Sequence, residues 1–138
     1  MALSHKNKTF ATFLAAFFGG VGAHRFYLFG KKDFWGWTHF LTLPLSLLAI
    51  GSGSAQPWLF LGVFFVVSIL SGFLEALVIG LTPDEKWDAR HNPGTGRSSE
   101  SGWPVVLLLV LTMGFGTTVL IAAMARAFDL FFTGGAYG

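Results

Sequence analysis

The sequence predicts an all-α fold, a polytopic membrane helix bundle with about four transmembrane helices, and three observations carry that prediction. Of 138 residues, 53% are hydrophobic and only 12% are charged, against roughly 25% charged in a soluble domain. The 16 Phe and five Trp are more apolar surface than the core of so short a chain can hide. The apolar residues also lie in long runs instead of alternating with polar ones, as expected of segments surrounded by lipid.

The first run, Thr9 to Ala23, stops at His24 and Arg25. As a helix it covers about 22 Å, short for a hydrocarbon core of about 30 Å, so flanking residues must extend it or the bilayer must thin. Lys6 and Lys8 ahead of an apolar stretch closed by Val21-Gly22-Ala23 also fit a secretory signal peptide. Phe26 to Phe29, however, continue the apolar character beyond any cut there. The second run, Phe34 to Ile50, opens on Trp35 and Trp37, which suit a membrane interface. It is expected to kink at Pro44 and ends at the flexible Gly51-Ser52-Gly53-Ser54 turn. The third, Trp58 to Leu81, is the strongest and would span about 36 Å. Its Leu, Ile, Val and Phe residues outweigh the insertion cost of Glu75, which therefore enters the membrane with its helix.

The only long polar stretch follows. Thr82, Pro83 and Glu85 form an N-cap, first-turn proline and capping-box pattern. They predict a short surface helix that carries Trp87 toward the headgroups and fades before Asn92-Pro93-Gly94. The fourth run, Trp103 to about Ala125, ends at Arg126, which can snorkel. Residues 1–92 thus read as one unit with spans near 9–25, 34–50 and 58–81, residues 93–102 as a flexible linker, and 103–138 as an additional transmembrane helix with a short tail.

Four spans put the termini and the Gly51 to Pro57 loop on one side with Lys6, Lys8 and Arg126. Arg25, Lys31, Lys32, Lys86, Arg90 and Arg97 fall on the other. The positive-inside bias then places the first and third loops in the cytoplasm and both termini outside, against the pull of the amino-terminal lysines.

Several function classes are excluded. A net charge of +2 from scattered basic residues offers no stripe for a phosphate backbone, so nucleic acid is not an expected partner. The absence of Cys removes disulfides, thiolate nucleophiles and thiolate metal sites. There is no metal-ligand His pair, nucleophile elbow or phosphate loop. Gly114-Phe115-Gly116 and Gly94-Thr95-Gly96 are only short Gly pairs that follow no strand. Asn7-Lys8-Thr9 fits a glycosylation sequon, a triplet common by chance. Neither an enzyme nor a cofactor or metal is expected, and an intramembrane enzyme has almost no residue support.

Glu75 is the leading functional candidate, because an ionisable group inside a membrane segment is costly and faces protein or water. It lies about 9 Å from the end of its helix, on the side of the first loop, which makes Arg25 its natural partner. His39 is the next choice and forms a polar helical stripe with Thr42 and Ser46. A structural ion pair is the plain reading of Glu75, and a proton or ion pathway the sharper one. Small residues recur four apart at Ala11, Ala15, Gly19 and Ala23, at Ser68 and Gly72, and at Gly114, Thr118 and Ala122. These faces should pack helix on helix, within one chain or between chains.

The glycines at the end of the first run permit close helix approach or a sharp turn, and Phe26 and Tyr27 can anchor in headgroups. Here the chain resembles the TM-two domain family, of the type called NINE proteins in bacteria. Gly22, His24, Arg25, Phe26, Tyr27 and Gly30 match the family's block. Glu75 stands where the family usually has an Asp, and Asp84-Glu85-Lys86-Trp87 to His91-Asn92 looks like its polar tail. The chain departs from the pattern by Phe29 before Gly30, by a longer middle that reads as two runs, by Glu75 itself and by the fourth segment. The resemblance implies a multi-pass protein of the bacterial inner membrane with largely unassigned activity. The expected function is a non-enzymatic membrane scaffold or interaction module; the alternative is a small transporter or channel subunit using Glu75 with Arg25 and His39. Expected partners are the lipid bilayer and either a second copy or another membrane protein.

Overall fold

A computed structural model describes residues 4–137, and every regular element in it is helical. The order is α1 (Lys8–Phe18), a 3-10 turn (Gly19–Val21), α2 (Ala23–Phe29), α3 (Phe34–Gly51), α4 (Trp58–Leu61), α5 (Val63–Leu81), α6 (Asp84–His91) and α7 (Trp103–Thr133). There is no strand among the described residues, and residues 1–3 and 138, the outer ends of the expected first and last units, lie outside them.

Two helices, α5 and α7, are long and apolar enough to cross a membrane, with mean hydropathy 2.3 and 2.4. α3 has 18 residues, but Thr38, His39, Thr42, Pro44 and Ser46 dilute its apolar character. Pro44 sits inside α3 without ending it. The third run is jointed at Gly62, where the Gly62 N–H closes α4 on the Trp58 carbonyl at 2.8 Å and α5 begins. α7 lies antiparallel along α5: Leu109 meets Gly80, Phe73 meets Gly116, and the rings of Phe60 and Phe131 are 5.3 Å apart. Leu74, Val78, Val110, Phe128 and Phe132 stand exposed around this pair, a surface suited to hydrocarbon.

The first apolar run differs from expectation. Asn7 caps α1 by accepting from the Phe10 N–H at 2.9 Å, and α1 runs back along α5. Lys8 Nζ donates to the Thr82 carbonyl at 2.7 Å at one end, and Gly19 touches Gly72 at the other. The chain then reverses through the 3-10 turn and Gly22, whose φ of +72° belongs to the left-handed region. α2 returns so far that the Tyr27 carbonyl accepts from Lys6 Nζ at 2.8 Å. What read as one span is therefore a helical hairpin with both feet at the Leu81 end of α5. Its first arm has 11 residues, about 16 Å, half a hydrocarbon core. The glycines that looked like the end of a span are the point of reversal, and the four-span count does not follow.

The Ala11, Ala15 and Gly19 face packs inside the chain, on the Gly72, Ala76 and Gly80 face of α5. Gly114, Thr118 and Ala122 of α7 stay exposed. Arg126, expected at the end of the fourth run, pairs with Asp129 within α7, which continues to Thr133 and closes on the left-handed Gly134.

The polar stretch after Leu81 also departs from its reading. Thr82 does not cap α6; its hydroxyl bonds back to the Val78 carbonyl and ends α5. Trp87 does not reach for headgroups. It is 2% exposed and donates from Nε1 to the Lys6 carbonyl at 3.0 Å. The residues after Asn92 are stitched down, with the Ser99 and Ser101 N–H groups donating to Asp88 and Asp84, each at 2.6 Å. Hydrogen bonds from Ser99 and Asn92 hold the Asp88 carboxyl down at about 2, from 3.8. Because the folded value is depressed, this support is complete above the unfolded value and lost as pH falls through the folded one. Asp88→Asn is accordingly expected to speed tryptic cleavage after Arg97 severalfold at pH 7, and wild-type Ser99 N–H exchange is expected to lose protection only below about pH 4.

Candidate polar centre at the hairpin

The matched block of the sequence reads directly as hairpin architecture. Gly22 turns the chain where a Cβ would fall 2.7 Å from the Gly36 carbonyl oxygen, so any side chain meets both an unfavourable φ and α3. Phe26 lies over Gly36 and packs edge-on to Trp37 with centroids 5.5 Å apart. The Tyr27 hydroxyl accepts from the Asn7 N–H at 2.9 Å, and its ring sits 4.8 Å from Lys6 Nζ. Gly30, at φ +82°, ends α2.

Between these fastenings α2 delivers His24 and Arg25 to Glu75 of α5. His24 is 1% exposed, and its Nε2 is in direct contact with Glu75 Oε2. Arg25 Nη1 reaches Glu75 Oε1 at 3.4 Å, while Nε and Nη2 form a fork on Asp33 at 2.8 and 3.3 Å. Asp33 also caps α3 by accepting from the Gly36 N–H at 2.6 Å, and the Arg25 hydrogen bond holds its carboxyl below the ordinary range. His39 of α3 completes the group. Its Nε2 lies 3.9 Å from Glu75 Oε1, and its Nδ1 meets Ser68 Oγ at 2.7 Å; Ser68 Oγ donates to the Gly20 carbonyl at 2.7 Å.

The structure thus brings Glu75, Arg25 and His39 together, as their spacing suggested, but ranks them differently. Arg25 is closer to Asp33 than to Glu75, and His24 is the nearest partner of the Glu75 carboxylate. Asp33 was missed, and Ser68 was read only as a small residue of a helix-packing face. Asp33 was legible as the N-cap residue immediately before Phe34 and as an acid across a glycine turn from Arg25. Ser46, placed with His39 in the polar stripe, is buried with its hydroxyl unpartnered, and Thr42 bonds back to the His39 carbonyl at 2.6 Å. No group of three His, Cys, Asp or Glu residues suited to a metal ion occurs among the described residues. A guanidinium beside Glu75 would in any case repel a cation.

A family model described as the TM2 domain matches residues 4–53, which take in the α1–α2 hairpin and α3. The chain carries a TM2 domain. No curated protein and no solved structure matches it. With the TM2 domain and the two long apolar helices, it is a membrane protein. Glu75 lies beyond the matched TM2 residues, so the polar centre joins the TM2 domain to the helix that follows it.

Proposed function

We propose that this is a multi-pass membrane protein in which α3, the α4–α5 rod and α7 cross the bilayer while the α1–α2 hairpin enters one half and returns. It works as a non-enzymatic scaffold or interaction module whose hairpin is locked by the centre around Glu75. The hairpin's two feet at the Leu81 end carry this reading. They gather Lys6, Lys8, Arg25, Lys31, Lys32, Lys86, Arg90 and Arg97 on one side and leave only Arg126 toward the other. The amino-terminal lysines, which opposed the four-span orientation, now agree with the loops. The positive-inside bias supports a cytoplasmic amino terminus and first and third loops, with the carboxyl tail outside. Placement in the bacterial inner membrane rests on the resemblance of the opening block to NINE proteins.

The geometry favours a structural centre over an ion pathway. Glu75 is met by His24, Arg25 and His39, and the polar chain stops at Ser68 and the Gly20 carbonyl. Beyond that depth the described charged groups are Arg126 and Asp129, already paired with each other. The proposal assigns no catalytic step, cofactor or nucleic acid. Its partner class is another membrane protein, a second copy included.

The topology is tested with single cysteines at Ser4, Ser54, Ser99 and Tyr137 in this Cys-free chain, labelled in intact cells by an impermeant thiol reagent. Labelling at Ser54 and Tyr137 with protection at Ser4 and Ser99 is the expected result. Ser4 decides between the arrangements, because four full spans would expose it together with Ser54.

A further inference from the structure

We infer that the turn between α2 and α3 is a docking site for the headgroup of an anionic phospholipid in the surrounding membrane. The inference rests on the proposed membrane arrangement. Lys31 and Lys32 are exposed at this turn, and neither is in an ion pair among the described residues. The nearest acid along the chain, Asp33, is already taken by Arg25 and the Gly36 N–H. Two ammonium groups therefore stand without a neutralising neighbour where phosphodiesters lie.

The turn is also held in shape. The Gly30 N–H bonds to the Phe26 carbonyl at 3.0 Å and the Asp33 N–H to the Gly30 carbonyl at 3.2 Å. Trp37 Nε1 donates to the Lys31 carbonyl at 2.7 Å, so an indole is tied to the backbone that carries the charges. Phe34, Trp35 and Trp37 are 74, 58 and 46% exposed beside it. Aromatic rings of this kind sit at headgroup level, which sets the lysines at the depth of the lipid phosphate. A fixed pair of cations above an aromatic shelf fits an anionic lipid better than a zwitterionic one, whose own ammonium group the lysines repel. Each lysine near an anionic surface is worth roughly fivefold in local lipid occupancy, and salt weakens the effect.

The test uses the full chain with Trp58→Phe and Trp103→Phe, which leaves Trp35 and Trp37 as the lipid-exposed indoles. It is reconstituted in phosphatidylcholine vesicles containing equal fractions of either brominated phosphatidylglycerol or brominated phosphatidylcholine. Stronger quenching by the anionic lipid is expected, severalfold in local occupancy, reduced in 0.5 M salt and abolished in Lys31→Gln/Lys32→Gln. A Lys86→Gln/Arg97→Gln control should keep the preference. Equal quenching by the two lipids, or a preference that survives loss of both lysines, overturns the site. Absence of quenching by either lipid instead overturns the membrane arrangement on which it rests.

Discussion

Gly72→Leu is expected to detach the hairpin from the rest of the protein. A Cβ at position 72 would lie 2.7 Å from the Gly19 Cα and 2.8 Å from its carbonyl carbon. Both are backbone atoms, so no rotamer change relieves the clash. From the other side, a Cβ on Gly19 would lie 2.5 Å from the Gly72 Cα. Ordinary overpacking costs about 1–3 kcal/mol because side chains give way; here α1 must leave α5, and the cost exceeds that range. The loss should include the Gly19 contact, the Ser68 to Gly20 hydrogen bond and the seating of Lys8. Tryptic cleavage after Lys8, which is 5% exposed in the fold, measures it directly. Gly114→Ala, at a position where nothing lies within 4 Å of the added carbon, should leave cleavage unchanged. Equal protection of Lys8 in Gly72→Leu and wild type would refute the close backbone contact as the hairpin's seat.

The second large effect is at Glu75. Glu75→Ala leaves His24, His39 and one arm of Arg25 without their shared acceptor. Removing one partner of a fully buried ion pair costs about 3–5 kcal/mol. The Glu75 side chain is 32% exposed, so about 2–3 kcal/mol is expected, read from the denaturation midpoint in mild detergent. Glu75→Gln keeps one acceptor oxygen, which can serve His24 or Arg25 but not both, and should recover part of the loss. If Gln instead abolishes activity in cells while stability and assembly persist, the group acts by titrating, and the structural assignment fails. Asp33→Asn should be the milder lesion, since Asn still caps α3 and Arg25 keeps Glu75.

The all-helical class, the strong third and fourth runs and the Glu75, Arg25 and His39 neighbourhood were legible because hydropathy and helical rise act along single segments. The hairpin was not legible, because Thr9 to Ala23 is nearly long enough to span and its hydropathy is blind to a reversal. What separates span from hairpin is the contact of Gly19 with Gly72, more than fifty residues away, which no local pattern contains. A local clue did exist. Gly19, Gly20 and Gly22 fall inside a helical run, and such spacing costs helix stability unless a turn or a close approach uses it. Trp87 misled for a similar reason: an exposed-helix pattern places it at headgroups, whereas the Lys6 carbonyl and the Asn92 side chain, which accepts from the Lys6 N–H at 2.6 Å, draw α6 over the amino-terminal segment. The linker looked free because Ser and Gly predominate there, yet Asp84 and Asp88 each find backbone and hydroxyl donors in it.

The hairpin makes the molecule's cross-section unequal along its axis. A cut through the half that holds Lys8 and Tyr27 passes α1, α2, α3, α5 and α7, whereas a cut beyond the Gly19 to Gly22 reversal passes only α3, α7 and the α4–α5 rod. In the proposed arrangement the protein is a wedge, displacing more lipid from the cytoplasmic leaflet than from the opposite one. The two leaflets must compensate for that mismatch in area wherever many copies gather.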